Sequence, residues 1–358
     1  MNKLKFHFSV VVAILLLVGC SDEDKVYAKF NFKENLAASY NSELEIELET
    51  LESDIATLEL VIGDSIVAKW DNPGVKKLTY KLLTNDFGIG SREIKLIAKN
   101  KAGELFKDER LFRILSDLKP EIWSYEIVDT YKHNITNFTQ GLEFDGDVLY
   151  ESTGQLGQSK IAKINLKTGE DLMKIGLDAT HFGEGITILG DTIYQLTWTT
   201  NKCFLYDKHT LQIMTKDFTF NGEGWGICND GKYLIMSDGS ERLTFRDPKT
   251  FEIVKTIEVY THEQPVSRLN ELEYIDGLIY ANIWMTNSIA VIEPETGRVI
   301  GVIDGSRLAS IGRGQAGDVF NGIAYNKTDD CIYVTGKYWN SLFKLKVNNT
   351  RKEIAIKK

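Results

Sequence analysis

Gln140, Glu184, Trp225, Asn270 and Asn321 each open a short apolar segment, and the five segments resemble one another. A second set, Glu151, Trp198, Asp238, Trp284 and Lys337, stands at the far end of the apolar run that follows each segment. A strand that enters a core would not choose acids, amides and a lysine at such places. If the repeat closes on itself, both sets converge on one face. Apolar walls with a few convergent polar groups describe a ligand pocket. A lone Trp is more often core than site, but Trp198, Trp225 and Trp284 beside amides at one rim read as pocket walls. The same residues exclude other chemistry. His7, His133, His181, His209 and His262 show no H-E-x-x-H or similar ligand spacing, so no metal site is expected. After Cys20, only Cys203, Cys228 and Cys331 remain, an odd number without C-x-x-C spacing. That speaks against a disulfide framework, a thiolate zinc site and Cys-His nucleophilic catalysis. These three thiols read as small buried groups.

The elements that must position the two sets form a repeat. Its segments are Gln140-Gly141-Leu142, Glu184-Gly185-Ile186, Trp225-Gly226-Ile227, Glu271-Leu272-Glu273 and Asn321-Gly322-Ile323. Their second residues are 44, 41, 46 and 50 apart. Each is followed by an Asp or Gly turn and an apolar strand, such as Val148-Leu149-Tyr150 or Cys331-Ile332-Tyr333. A period of 40–50 residues carrying four strands marks a propeller blade. Five units predict a five-bladed β-propeller over residues 120–350. Residues 124–130 are predicted to supply the outer strand missing after Leu345, which closes the ring and leaves no open edge. Glycine at four of the five inner positions fits a crowded axis. Residues 26–117 alternate apolar and polar, as in Leu44-Glu45-Ile46-Glu47-Leu48 and Glu93-Ile94-Lys95-Leu96. Turns at close intervals there predict a small β-sandwich without catalytic residues, a spacer or docking module. Residues 94–103 resemble the late strand and turn of an immunoglobulin-like module. The fold class is all-β.

The 358 residues carry 43% hydrophobic and 26% charged side chains, an ordinary globular balance that excludes disorder. A net charge of −9 speaks against nucleic acid or an anionic membrane surface as a partner. Lys3 and Lys5, the apolar run 8–18 and Leu17-Val18-Gly19-Cys20 describe an export signal. The ending resembles the lipobox of bacterial lipoproteins. That resemblance implies removal of residues 1–19, lipidation of Cys20 and a tether over 20–25. The location implied is the cell envelope, anchored by lipid in the outer membrane or periplasm. The acidic run Ser21-Asp22-Glu23-Asp24 resembles tags that bring some lipoproteins to the cell surface.

Longer motifs carry a further resemblance. Phe138-Thr139-Gln140-Gly141-Leu142, Glu151-Ser152-Thr153-Gly154, Phe182-Gly183-Glu184-Gly185, Leu269-Asn270-Glu271-Leu272-Glu273-Tyr274 and Thr335-Gly336-Lys337 resemble the plant-type and bacterial glutaminyl-peptide cyclotransferases. The resemblance spans residues 138–345. It implies a five-bladed propeller that turns N-terminal glutaminyl residues of peptides or proteins into pyroglutamyl residues and releases ammonia. It implies no catalytic metal or other cofactor, and it allows a structural calcium on the propeller axis. In this reaction the substrate's own amine attacks its γ-amide, so positioning and proton transfer are the enzyme's tasks. Glu184, between two glycines, matches the family's proposed catalytic acid. Asn270 and Lys337 match site residues suited to the γ-amide oxygen. Gln140 suits the substrate's backbone or amide, with Phe138 beside it, and Trp198, Trp225 and Trp284 form the walls. Glu223, an extra acid near the pocket, is read as solvated. The alternative is a cell-surface propeller that binds peptides or glycans without chemistry.

Overall fold

The computed structural model describes residues 25–32 and 36–348. The export signal and the lipidation of Cys20 lie outside the described residues. Two compact units divide the chain, and not by a single cut. The larger holds residues 36–45, 81–93 and 110–348, and the smaller holds 25–32, 46–80 and 94–109. The chain before residue 116 forms one sheet of three strands and one of five. In the smaller unit, Ile55–Ile62 pairs antiparallel with Ser65–Asp71 on one side and with residues 94–100 on the other. Leu58, Leu60 and Ile62 are buried, as are Ile94, Leu96 and Ala98 opposite them. A slip of one residue would turn both rows to solvent, so the alternation fixes this register.

The larger unit repeats one local design. Thr139–Asp145, Val148–Thr153, Lys160–Ile164 and Asp171–Gly176 form an antiparallel sheet in chain order. The pattern returns in sheets whose inner strands are Gly183–Leu189, Ile227–Asn229, Leu269–Ile275 and Phe320–Asn326. In the sheet of Phe320–Asn326 the outer place is taken by Ser124–Lys132. It pairs antiparallel with Ser341–Asn348, Tyr125 facing Val347 and Ile127 facing Leu345. Glu121–Ile122, which the pattern does not announce, adds in parallel to Val299–Asp304. The core lies between successive sheets. Cys228, Ile235 and Leu243 of one pack with Leu272, Ile279 and Ala290 of the next. Cys203, Cys228 and Cys331 are buried free thiols.

The inner strands approach each other closely, and glycine makes that approach feasible. A Cβ on Gly141 would stand 2.5 Å from the Ile186 nitrogen, and one on Gly185 would stand 2.8 Å from the Ile227 nitrogen. Backbone cannot yield as a flexible side chain can. This all-β, propeller-like arrangement brings the leading residues of separate sheets to one place.

Candidate active site

Four inner strands break register at the residue that could do chemistry. The ladders shift between Thr139 and Gly141, Gly183 and Ile186, Leu269 and Leu272, and Phe320 and Ile323. Gln140, Glu184, Asn270 and Asn321 therefore sit at β-bulges, where a residue leaves the ladder and its side chain is re-aimed. A strand can thus stay apolar along its length and still turn one polar group aside. In the sheet that begins at Ile227, Trp225 precedes the strand, its N–H 3.1 Å from the Ser237 carbonyl.

Gln140, Glu184, Asn270, Lys337, Phe138, Trp198, Trp225 and Trp284 all line one pocket of about 330 Å³. Gln155, Phe182, Met285 and Asp318 complete the lining, and sequence reasoning gave none of them a place in the pocket. Rings follow each other around the wall. Trp284 meets Trp225 edge-on at 5.6 Å, Trp198 meets Phe182 at 5.7 Å, and Phe182 meets Phe138 at 6.0 Å. The Lys337 Nζ lies 4.4 Å from the Phe138 ring centroid. Main-chain bonds fix the lysine, whose N–H donates to the Val319 carbonyl at 2.9 Å while its carbonyl accepts from Asp318 N–H at 2.8 Å. Phe182 had a sequence signal, since it stands two residues before Glu184 as Phe138 stands two before Gln140. Met285 and Asp318 lie between strands, where no periodicity announces them.

The Glu184 side chain is buried and accepts one side-chain hydrogen bond, from Gln140 Nε2 at 2.8 Å. Gln140 Oε1 in turn accepts from Asn321 Nδ2 at 3.3 Å, and that amide also donates to the Thr139 carbonyl at 3.0 Å. Burial pushes the Glu184 carboxyl well above its ordinary range; Lys337 opposes this and Glu223 adds to it. Burial likewise pushes Lys337 down, against Glu184 and Asp318. A buried acid and a buried base are thus both drawn toward neutrality. Asn270 Oδ1 is buried without a hydrogen-bond partner, leaving one end of that amide for an incoming group.

Three other polar residues lie elsewhere. Glu151 is buried with His133, Asn137 and Thr139. Asp238 accepts from the backbone N–H and the hydroxyl of Ser240. Asn321 braces Gln140 from behind. Glu223 corrects an expectation, because it is not simply solvated. One carboxylate oxygen, Oε2, accepts the indole N–H of Trp198 and of Trp225, each at 2.8 Å. Sequence could not show this, because both bonds depend on how two rings are turned.

Comparison with known proteins gives the family. Residues 103–347 match the family model described as glutamine cyclotransferase. The glutaminyl-peptide cyclotransferase of Arabidopsis thaliana is 39% identical over 235 residues, which cover 64% of this chain and 73% of the relative. The crystal structure of the Myxococcus xanthus glutaminyl cyclase superposes with a TM-score of 0.61 at 36% identity. It covers 64% of this chain and 99% of that one.

Proposed function

The chain belongs to the glutamine cyclotransferase family and is a glutaminyl-peptide cyclotransferase, and we propose that the Glu184 pocket is where its reaction occurs. The substrate is a peptide with an N-terminal glutaminyl residue. Its α-amine nitrogen bonds to the γ-amide carbon, the C–N bond to the amide nitrogen breaks, and ammonia leaves. A pyroglutamyl ring remains. As the amine attacks, its proton passes to the Glu184 carboxylate, which returns it to the departing nitrogen. A raised pKa suits a group that must take up and release one proton near neutrality. Negative charge grows on the γ-amide oxygen in between, where the Lys337 ammonium and the Asn270 Nδ2–H group would stabilise it. The unpartnered Asn270 Oδ1 would accept an N–H of the substrate. Gln140, fixed by Asn321, orients the Glu184 carboxyl and holds the substrate amide. The aromatic wall excludes water that would otherwise solvate the amine. One observation carries this reading: a fully buried carboxyl with a single donor lines the same pocket as a buried lysine and three tryptophans. Purified protein incubated with a Gln-initiated peptide should release ammonia, followed with a coupled ammonia assay. A binder of peptides or glycans would release none.

We also read the five sheets of the larger unit as five blades of one propeller, on the strength of their shared strand order and of Ser124–Lys132 taking the last outer place. The two sheets before residue 116 we read as an immunoglobulin-like sandwich that serves as a spacer. Cys20 would carry lipid and hold the enzyme in the cell envelope; an unmodified Cys20 in the mass spectrum of membrane-extracted protein would refute that. A calcium ion on the axis is the last proposal, and side chains there do not form a cage for it. Glu271 accepts the backbone N–H groups of Leu142 and Ile323, and Glu273 accepts that of Tyr325. Among the described residues no group of three or more His, Cys, Asp or Glu could hold a metal. An axial ion would rest on main-chain oxygens and act on stability, so removing it with EDTA would lower the melting temperature.

A further inference from the structure

The aromatic wall has two halves. Trp284 packs on Trp225, and Trp198 packs on Phe182 and through it on Phe138. Glu223 joins them, since its Oε2 accepts both Trp198 Nε1 and Trp225 Nε1. The carboxylate is placed by backbone on either side. Gly224 N–H donates to the Trp198 carbonyl at 3.0 Å, and Asn201 Nδ2 donates to the Gly222 carbonyl. Gly222 has φ +90°, a conformation that side chains resist. Gly224 is hemmed in, since a Cβ there would stand 2.8 Å from the Thr197 carbonyl oxygen. The two glycines let the chain turn tightly enough to present one acid to two indoles.

From this geometry we propose that Glu223 is a positioning residue of the substrate pocket: by accepting both indole N–H groups it locks Trp198 and Trp225 into one dry wall. The inference rests on the cyclotransferase reading of the pocket. An indole N–H must find an acceptor or water. With Glu223 taking both, neither donor is left to hold water in the pocket or to compete for the substrate amide. The polar side chains left for the glutamine side chain are then Glu184, Gln140, Asn270 and Lys337, with Gln155 and Asp318 on the same lining. Charged acceptors make stronger hydrogen bonds than neutral ones. Here solvent weakens them, because Glu223 is exposed. Its charge also faces Glu184, together with the Lys337 ammonium, while Asp318 faces Lys337.

The test compares Glu223→Ala with Glu223→Gln on a Gln-initiated peptide. The alanine variant should melt near the wild type, lose near-ultraviolet circular dichroism from its tryptophans, and raise KM about tenfold. The glutamine variant keeps an acceptor oxygen and should recover most of that KM. Both variants lack the charge beside Glu184, so the acid limb of kcat should move to lower pH in both. An alanine variant with wild-type KM and an unchanged tryptophan spectrum would overturn the proposal, and so would a glutamine variant as impaired in KM as alanine. If the wild type released no ammonia, the functional reading would fail instead, and the tryptophan spectra would still decide whether Glu223 locks the wall.

Discussion

Glu151 and Glu184 are both buried, at 1% and 4% exposure, on strands of neighbouring sheets, yet their surroundings drive them in opposite directions. Glu151 faces three side-chain partners: His133 Nε2 at 3.1 Å, Thr139 Oγ1 at 2.7 Å and Asn137 Nδ2 at 2.7 Å. His133 Nδ1 lies 2.8 Å from the Trp339 carbonyl. Acceptors lie at both nitrogens, an arrangement that favours the charged ring. Burial pushes Glu151 up, but the His133 charge and the three hydrogen bonds outweigh it and leave the carboxyl below its ordinary range. Burial pushes His133 down, and the Glu151 charge and bond together with the Trp339 carbonyl outweigh it, so the ring ends above its ordinary value. Glu184 has one side-chain donor; burial, with the Glu223 charge added to it, outweighs the Lys337 charge and holds the carboxyl up. The number of donors aimed at the charged form decides which buried acid is a fixed joint and which can trade a proton.

Replacing Glu184 by Gln should break one side of this comparison with the largest effect. Shape and one hydrogen-bonding end are kept, but the proton carrier is gone. The value of kcat should fall by about 10²–10⁴-fold, while the melting temperature holds or rises because an acid that resists ionisation has been removed. A loss of melting temperature with rate retained would make Glu184 a structural acid like Glu151. Replacing Glu151 by Ala should show the reverse, leaving the His133 ring buried beside orphaned partners. Breaking a buried pair in this way costs about 3–5 kcal/mol, read from denaturant unfolding. Rate should suffer only through the turn that carries Lys337, since His133 holds the Trp339 carbonyl and Tyr338 N–H donates to Asn137. An alanine variant as stable as the wild type would show that the joint contributes little.

The two acids also differ in how far sequence disclosed them. Gln140, Glu184 and Asn270 were legible because a polar residue at the head of an otherwise apolar repeat conflicts with a core, and the conflict recurs at one register. The bulges that resolve it were not legible, because slippage depends on the partner strand. The repeat itself showed through because its spacing is a property of the chain. The place of Ser124–Lys132 followed from the need to pair an edge. Glu151 stood in the same aligned set as Lys337, and sequence could not separate a joint from a pocket residue. The distinction lies in His133, which is 18 residues away and turned inward by Trp339. Glu223 was misjudged for a similar reason. The acid between glycines is exposed, but its two bonds go to side-chain atoms whose orientation only packing fixes.

The smallest and most discriminating effect lies in the pH dependence of stability. Glu151 has a folded pKa below its ordinary value of 4.5, so its contribution is present above 4.5 and is lost as pH falls through the folded value. His133 has a folded pKa above its ordinary 6.5, so its contribution is present below 6.5 and is lost as pH rises through the folded value. The pair therefore stabilises most between about 4.5 and 6.5, and the deficit of Glu151→Ala relative to wild type should be greatest there. Glu184 has the opposite sign. Its folded pKa lies above 4.5, so the unfolded chain ionises first and wild-type stability is eroded as pH rises from 4.5 toward the folded value. Glu184→Gln escapes that erosion, and its advantage over wild type should grow across the same range in which the Glu151→Ala deficit is greatest. Melting temperatures of the three proteins across the pH series give two difference curves. Opposite signs support one fixed and one mobile proton. A Glu184→Gln curve that is flat, or that falls with rising pH, would mean that Glu184 ionises at least as readily in the fold as in the unfolded chain, and the contrast between the two acids would collapse.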